Sequence, residues 1–268
     1  ERLRSEGAIT LGKTVTTEFA ASGEPLSINP WNAEHTPSGS STGSAVAVAA
    51  RMCPVALGTQ TGGSTLRPSA FTGVVGLKPS YGRVSKYGVI PASYSMDTVG
   101  IIVRSVEDAA CVLQATAGYD SKDASSARRR VPDFAKALVK EDRPPRIGAI
   151  RQFFFERSTE EVQRRTEAAV TQMSEAGAVL SETYLPESFP LLFPIWPLIF
   201  HAEAAAYHEE VFRERGAEYT SGLRGNLEAA AFIPAIQYIQ AQRLRRQCRR
   251  EMEALFKTVD VFLTPTVA

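Results

Sequence analysis

Two stretches rich in serine and glycine decide the fold of this chain: residues 37–44 read PSGSSTGS, and residues 58–64 read GTQTGGS. Between them lie a run of small apolar residues, AVAVAA at 45–50, and a short apolar stretch, VAL at 55–57. The first run is typical of a tightly packed helix and the second of a buried strand. We therefore predict a loop, a helix, a strand and a second loop, in that order.

The second loop has the composition of a site that stabilises an oxyanion. Gly62 and Gly63 directly precede Ser64, so that consecutive backbone N–H groups are not obstructed by side chains, and glycine tolerates the backbone conformation that such a nest requires. These donors can surround a developing negative charge while the Ser64 hydroxyl attacks a carbonyl carbon. The hydroxyls of residues 39–44 can relay the proton of the nucleophile. The alternative is that both loops are turns that merely pack closely.

Two shorter motifs in the same region have the wrong surroundings. Residues 7–14, GAITLGKT, match the phosphate-binding loop, but the required strand, loop and helix are not in that order, which favours a buried strand at residues 8–11. Residues 39–43, GSSTG, match the nucleophile elbow of α/β-hydrolases, with Ser41 as the nucleophile. That elbow needs a hydrophobic strand directly before it, and residues 31–38 cannot form one.

The rest of the chain alternates between helical and strand patterns, which indicates an α/β protein. Helices are predicted at 105–117, 159–176, 199–215 and 226–257, and strands at 73–79, 146–150, 178–183 and 259–263.

The order and spacing of these motifs resemble the amidase signature family. The match covers roughly the first two-fifths of the chain, from residues 11–14 (LGKT) to residues 107–110 (EDAA), and includes 58–64 and 73–79. Near the end of the chain, residues 263–266 (LTPT) resemble a later element of the family. The resemblance implies the amidase signature fold, an α/β fold in which a mixed, mostly parallel central sheet is covered by helices on both faces.

The resemblance also implies a role for each residue of the two loops. The two catalytic serines of the family lie 24 positions apart, as Ser40 and Ser64 do. Ser64 is then the nucleophile, and Ser40 is the bridging serine, which follows a cis peptide bond after Gly39. Gly39 and Ser41 are expected to support the loop. The oxyanion donors are the backbone N–H groups of Thr61, Gly62, Gly63 and Ser64.

The implied reaction is hydrolysis of a carboxamide through an acyl-serine, in which a neutral lysine takes a proton through Ser40. The family's lysine lies upstream of the element that resembles residues 8–14, and Lys13, Lys78 and Lys86 do not match its position. We therefore expect a chain trimmed at both ends that is inactive as the 268 residues alone.

Two positions of the second loop depart from the family. Many members have an acidic residue where Gln60 stands, and an arginine two positions after the nucleophile. Here that position is Leu66, and Arg67 follows it. Arg67 is as compatible with pinning a loop through backbone carbonyls as with contacting substrate.

Three functions remain open. The first is an amidase that cleaves a small-molecule amide. The second is the A-type glutaminase subunit of a tRNA-dependent amidotransferase, which needs a partner protein and tRNA. The third is a non-catalytic binding protein on the same fold. A homo-oligomer is compatible with each of them.

Composition narrows the classes of protein. With 30 Lys+Arg, 29 Asp+Glu and 44% hydrophobic residues, the chain is typical of a globular protein, and its balanced charge argues against nucleic-acid binding outside the amidotransferase case. Three cysteines without a CxxC pair indicate a reducing, cytoplasmic location. Residues 189–200, FPLLFPIWPLIF, are shorter than the ~20 residues of a membrane span, so no membrane association is predicted.

We predict a single, partial amidase signature domain over residues 1–268. It consists of a signature core at 1–120, an exposed excursion at 121–145 that is rich in charge and proline, and a helix-rich part at 146–268 that shapes the substrate pocket.

Neither a metal nor another cofactor is expected. His201 and His208 share a helix face with glutamates nearby, but they lie two turns, about 10.5 Å, apart, which is too far for one ion. The arginines at 243–250 are interpreted as a solvated helix face because glutamates follow them.

Overall fold

The computed structural model describes residues 1–21, 23–139 and 143–267. Its helices are α1 (Arg2–Ser5), α2 (Thr42–Ala49), α3 (Leu66–Thr72), α4 (Val106–Thr116), α5 (Phe134–Ala137), α6 (Glu160–Glu175), α7 (Leu192–Arg215), α8 (Ser221–Ala230) and α9 (Ala235–Leu255). Its strands are β1 (Val55–Gln60), β2 (Val75–Leu77), β3 (Thr98–Val103), β4 (Arg146–Ala149), β5 (Val179–Glu182) and β6 (Val261–Leu263).

Two compact units divide the chain. The first comprises Glu1–Val139 and Ile199–Ile233, and the second comprises Lys140–Leu198 and Pro234–Ala268. The single domain over residues 1–268, with its internal boundaries, stays a prediction.

The first unit contains an antiparallel sheet with the strand order β1–β3–β2. The central strand β3 reads TVGIIV and is buried along its whole length, in agreement with the preference of β-branched residues for strands. β1 lies at an edge of this sheet, and its last residue, Gln60, pairs with Thr98, the first residue of β3. The second serine-glycine loop therefore begins where β1 leaves β3.

A helix covers each face of this sheet. Ile102 packs with Ala45 and Val48 of α2 in one core cluster. Its neighbour Ile101 packs with Leu113 of α4 in another cluster. Because successive side chains of a strand point to opposite faces, α2 and α4 lie on opposite sides of β3.

The second unit contains a parallel sheet with the order β5–β4–β6. The connection from β4 to β5 is α6, which the Thr159 hydroxyl caps by accepting a backbone N–H, and Gly177 follows its end with a φ of +97°. Asp260, just before β6, binds the guanidinium groups of Arg143 and Arg146. These bonds hold the pKa of Asp260 well below its usual range.

The α/β class and the helices on both faces are confirmed. The predicted parallel pairing is found in the second sheet, whereas the first sheet is antiparallel. Both other strands of the first sheet pair with β3, which is not among the strands predicted from the sequence.

Two local predictions are wrong. Residues 8–11 form no strand, and Ile9 and Leu11 are 84% and 72% exposed, since no described strand pairs with them. The helix expected over 226–257 is two helices, α8 and α9, because Pro234 lacks the N–H that would continue the first. Within the expected excursion at 121–145, residues 140–142 lie outside the described residues.

A continuous helical stretch over Phe189–Glu218, which contains α7, reaches a mean hydropathy of 1.3 over 18 residues. This stretch is long and apolar enough to cross a membrane, whereas residues 189–200 alone are too short to do so. The core helix of a soluble protein satisfies the same criterion, so the stretch is weak evidence for a span.

Candidate active site

The two serine-glycine loops are joined through their backbones. The Ser41 N–H, just before α2, donates to the Ser64 carbonyl at 3.1 Å. The Ser41 hydroxyl also accepts from the N–H of Thr59 at 3.1 Å and donates to its carbonyl at 3.2 Å. Thr59 is opposite Val99 in the register of β1 and β3. The first loop is therefore attached both to the edge strand β1 and to the loop that follows it.

A glycine in β1 makes this close approach feasible. A Cβ atom added at Gly58 would lie 2.6 Å from the Ser41 hydroxyl oxygen. The Ser44 hydroxyl, one turn further along α2, donates to the Leu57 carbonyl at 2.8 Å. Serine side chains of the first loop and of α2 therefore take up backbone groups of the edge strand, which would otherwise be open to pairing.

Ser40 sits on a cis peptide bond with Gly39, as the family resemblance implies. Its carbonyl accepts from the Thr17 N–H at 3.2 Å and from the Thr16 hydroxyl at 2.9 Å. Its own hydroxyl oxygen is buried and has no hydrogen-bond partner among the described residues. A buried polar atom without a partner typically costs about 1–3 kcal/mol, and such atoms in native proteins call for an explanation such as a catalytic role.

Ser64 follows the glycine pair and is 8% exposed. In the part of the chain that the structure describes, the N–H groups of Gly62, Gly63 and Ser64 bind no acceptor. Gly62 itself is exposed. The loop therefore presents consecutive unused donors next to the Ser64 side chain.

Gln60 fixes the end of the second loop, and Arg67 connects α3 to the first loop. The Gln60 side-chain oxygen accepts from the N–H groups of Thr65 and Leu66, both at 2.9 Å, and so caps the start of α3. An amide oxygen thus supplies the acceptor where many family members have a carboxylate. Arg67 Nη2 donates to the Gly39 carbonyl at 3.3 Å, so this arginine pins the first loop through a backbone carbonyl.

Asp97 lies directly before β3 and contacts the second loop. The sequence did not predict a role for this residue. Its Oδ1 accepts from the Thr61 hydroxyl at 2.5 Å. Burial raises the pKa of Asp97, while the bonds from Thr61, Ser93 and Ala92 act in the opposite direction. The signal in the sequence is weak, because an aspartate before a strand is also a common turn residue.

The ammonium groups of Lys78 and Lys86 donate to backbone carbonyls and to a tyrosine hydroxyl. Lys78 Nζ donates to the Pro79 carbonyl at 3.0 Å, and burial lowers the pKa of Lys78. Lys86 Nζ donates to the Tyr81 hydroxyl at 3.1 Å and to a backbone carbonyl. Lys13 is exposed.

The histidines of α7 lie in an aromatic environment. His208 is buried, and its Nδ1 is 2.9 Å from the Tyr219 hydroxyl, while Phe19 packs edge-on against the imidazole at 4.6 Å between ring centres. Burial lowers the pKa of both His201 and His208. Among the described residues, no group of three or more His, Cys, Asp or Glu side chains has the arrangement of a metal site.

The second unit contains an open cavity of about 390 Å³ beside the ends of β4 and β5. Its lining includes Arg151, Phe155 and Tyr184, and Arg151 is paired with Glu167 at 2.7 Å. The contribution of residues 146–268 to a substrate pocket stays a prediction.

The α/β fold and the two joined serine loops agree with the resemblance to the amidase signature family, and comparison with known proteins gives the same family. A sequence model of the family described as Amidase matches residues 1–268. The chain belongs to the amidase family.

Its relatives include components of amidotransferases. The A-type subunit of glutamyl-tRNA(Gln) amidotransferase from Roseiflexus castenholzii (strain DSM 13941 / HLO8) is 38% identical over 294 residues, which cover 99% of this chain and 60% of that protein. This chain therefore spans about three-fifths of the length of that relative.

Solved structures give the same fold. One is a chain from a vestigial protein complex described in relation to the evolutionary origins of an s-triazine catabolic enzyme, with a TM-score of 0.92 and 28% identity over 99% of this chain and 58% of that one. Another is 6-aminohexanoate cyclic dimer hydrolase, with a TM-score of 0.84 and 25% identity over 96% of this chain and 57% of that one.

Proposed function

We propose that this chain carries the serine half of an amidase active site and that the protein cleaves a carboxamide C–N bond through an acyl-Ser64 intermediate. One observation carries the proposal: the Ser41 N–H to Ser64 carbonyl bond brings the buried, unpartnered Ser40 hydroxyl into the neighbourhood of a serine that follows two glycines. Membership of the amidase family supports the same chemistry.

In this mechanism the Ser64 hydroxyl oxygen forms a bond to the amide carbonyl carbon, and its proton passes to the Ser40 hydroxyl. The two hydroxyls are not hydrogen-bonded to each other in this structure, so the step requires a side-chain rotation that brings them into contact. Ser40 in turn gives its own proton to the neutral lysine that the family resemblance implies. The carbonyl oxygen becomes an oxyanion and accepts from the N–H groups of the loop, Thr61, Gly62, Gly63 and Ser64. One donor of this kind is typically worth about 3 kcal/mol of transition-state stabilisation.

The intermediate then breaks its C–N bond, and the amine or ammonia leaves with the proton that the base returns. Water next attacks the acyl-serine, its proton goes back along the same path, and the Ser64 hydroxyl is restored as the carboxylic acid leaves. Ser41 supports this machinery rather than reacting, since its hydroxyl is already bound to both backbone groups of Thr59.

A serine-directed fluorophosphonate probe tests this assignment in the full-length protein. We expect labelling of the wild type, loss of labelling in Ser64→Ala, a strong reduction in Ser40→Ala, and retention in Ser41→Ala measured under conditions where circular dichroism shows it folded. Labelling that survives Ser64→Ala, or that is lost only in Ser41→Ala, would refute the assignment. A wild type that takes no label would favour the non-catalytic binding protein.

A glutaminase function as the A-type component of a tRNA-dependent amidotransferase is the second candidate. The name and 38% identity of the Roseiflexus castenholzii relative favour it, whereas the 6-aminohexanoate cyclic dimer hydrolase favours a free amidase. Ammonia release from glutamine that requires a partner protein and tRNA would select the amidotransferase, and hydrolysis of small amides by the protein alone would select the amidase. In both cases we place the protein in the cytoplasm, in keeping with its free cysteines.

A further inference from the structure

We propose that Asp97 is a positioning residue that orients the oxyanion loop, Thr61–Ser64, through the Thr61 hydroxyl; this inference rests on the proposed function. The contact is short, with 2.5 Å between Thr61 Oγ1 and Asp97 Oδ1. Asp97 is only 5% exposed, so water competes little for the bond. Hydrogen bonds to an ionised acceptor are roughly twice as strong as bonds between neutral groups.

The strand register explains why these two residues meet. Gln60, the last residue of β1, is paired with Thr98, the first residue of β3. In an antiparallel pair the next residues outward are opposite each other, and these are Thr61 and Asp97. The side-chain bond therefore joins the two chains where the backbone of β1 turns away into the loop.

Asp97 is itself fixed by its second oxygen. Oδ2 accepts from the backbone N–H groups of Ala92 and Ser93, both at 2.8 Å. With both oxygens occupied by donors from different segments, the carboxylate has one orientation. It can therefore impose an orientation on Thr61 rather than follow it.

The turn that provides these donors is anchored further on. The Ser93 hydroxyl donates to the Glu203 carboxylate of α7, and the Ser95 N–H donates to the same oxygen at 2.9 Å. Glu203 and Ser93 are both buried. A polar network whose members are bonded in this way rigidifies the segments that it connects, and here it connects α7, the 92–97 turn and the start of the oxyanion loop.

The loop needs such support because its glycines cannot provide it. An oxyanion donor contributes only when it already points to where charge develops, and Gly62 and Gly63 have no side chains to hold their N–H groups. The far end of the loop is fixed by Gln60, which caps α3. The near end is fixed by the bond between Thr61 and Asp97.

The test compares variants of the full-length protein in amide hydrolysis. Asp97→Asn and Thr61→Val are expected to lower kcat about 10- to 100-fold, the scale of a small misplacement, with KM within about twofold. Thr61→Ser keeps the hydroxyl and should retain most activity. The double variant should be no worse than Asp97→Asn alone, because Asp97→Asn already disturbs the bond that Thr61→Val removes, in addition to the bonds to Ala92 and Ser93. Asp120→Asn is the matched control, since Asp120, like Asp97, accepts from a side-chain hydroxyl, here that of Ser85 at 2.7 Å, but in another part of the chain.

Any of three results would overturn the inference: a wild-type kcat in Thr61→Val, an effect of that substitution on KM alone, or additive losses of kcat in the double variant. If Asp97→Asn does not fold, Thr61→Val and Thr61→Ser decide the matter. A wild type without Ser64-dependent activity refutes the proposed function instead. In that case the ¹⁵N order parameters of Gly62 and Gly63 decide the inference: a decrease in Thr61→Val supports it, and unchanged values overturn it.

Discussion

Replacing Ser41 with alanine should lower the free energy of unfolding by about 1–3 kcal/mol. The substitution removes one hydroxyl that serves two backbone groups of Thr59, at 3.1 and 3.2 Å. A fully buried donor or acceptor left without a partner costs about 1–3 kcal/mol. Thr59 is half-buried in an edge strand, so water recovers part of this cost, and the sum for the two groups should stay within the range for one.

Urea unfolding followed by circular dichroism measures this change. Ser121→Ala is the control, because Ser121 is exposed and its replacement should alter stability by less than about 0.5 kcal/mol. Ser44→Ala should fall between the two, since it frees one strand carbonyl, that of Leu57, and the hydroxyl of Thr14, which is exposed to water. A loss in Ser41→Ala no larger than in Ser121→Ala would refute the view that serine side chains complete the edge of the sheet.

Three further predictions concern stability. Gly100→Ala should destabilise the protein by about 1–3 kcal/mol, measured by urea unfolding, because a Cβ there would lie 2.3 Å from Thr65 Oγ1; an unchanged midpoint would contradict this. Asp260→Asn should lower the thermal midpoint at pH 7 and do so by less at pH 3, because two bound guanidinium groups lower the pKa of Asp260 and its stabilisation begins to decline below the unfolded pKa of about 3.9 but is lost only as pH falls through the lower folded pKa; an equal effect at both pH values would exclude this account. Because burial lowers the pKa of His208, wild-type stability should fall as pH drops below the unfolded pKa of about 6.5, and His208→Gln should flatten that fall; the same flattening in a variant of the exposed His35, His35→Gln, would contradict it.

The sequence predicted the parts of the site that depend on local chemistry. The small residues of α2 and the glycine pair before Ser64 each leave a pattern within a few positions, and the structure has α2 and the two joined loops. The family resemblance added the cis bond before Ser40. The roles of Ser40 and Ser64 stay predictions until a probe or a substrate tests them.

The parts that were missed depend on which strands pair. The register that brings Asp97 opposite Thr61 exists only once β1 lies beside β3, and a six-residue strand carries no mark of its partner. For the same reason residues 8–11 looked like a strand from their apolar side chains alone, whereas strand formation also needs a neighbour to take the backbone hydrogen bonds. The use of Gln60 as a helix cap was likewise not visible from its position.

The carboxamide at position 60 makes the cap of α3 independent of protonation, unlike a carboxylate at that position. A carboxylate that accepted the N–H groups of Thr65 and Leu66 would lose part of its accepting capacity on protonation. The Gln60 carboxamide does not take up a proton in the pH range in which proteins are folded. The hydrogen bonds that it accepts from Thr65 and Leu66 are therefore the same at pH 4 as at pH 8. Any loss of activity in acid must therefore originate in groups that titrate, and the cap of α3 is not among them.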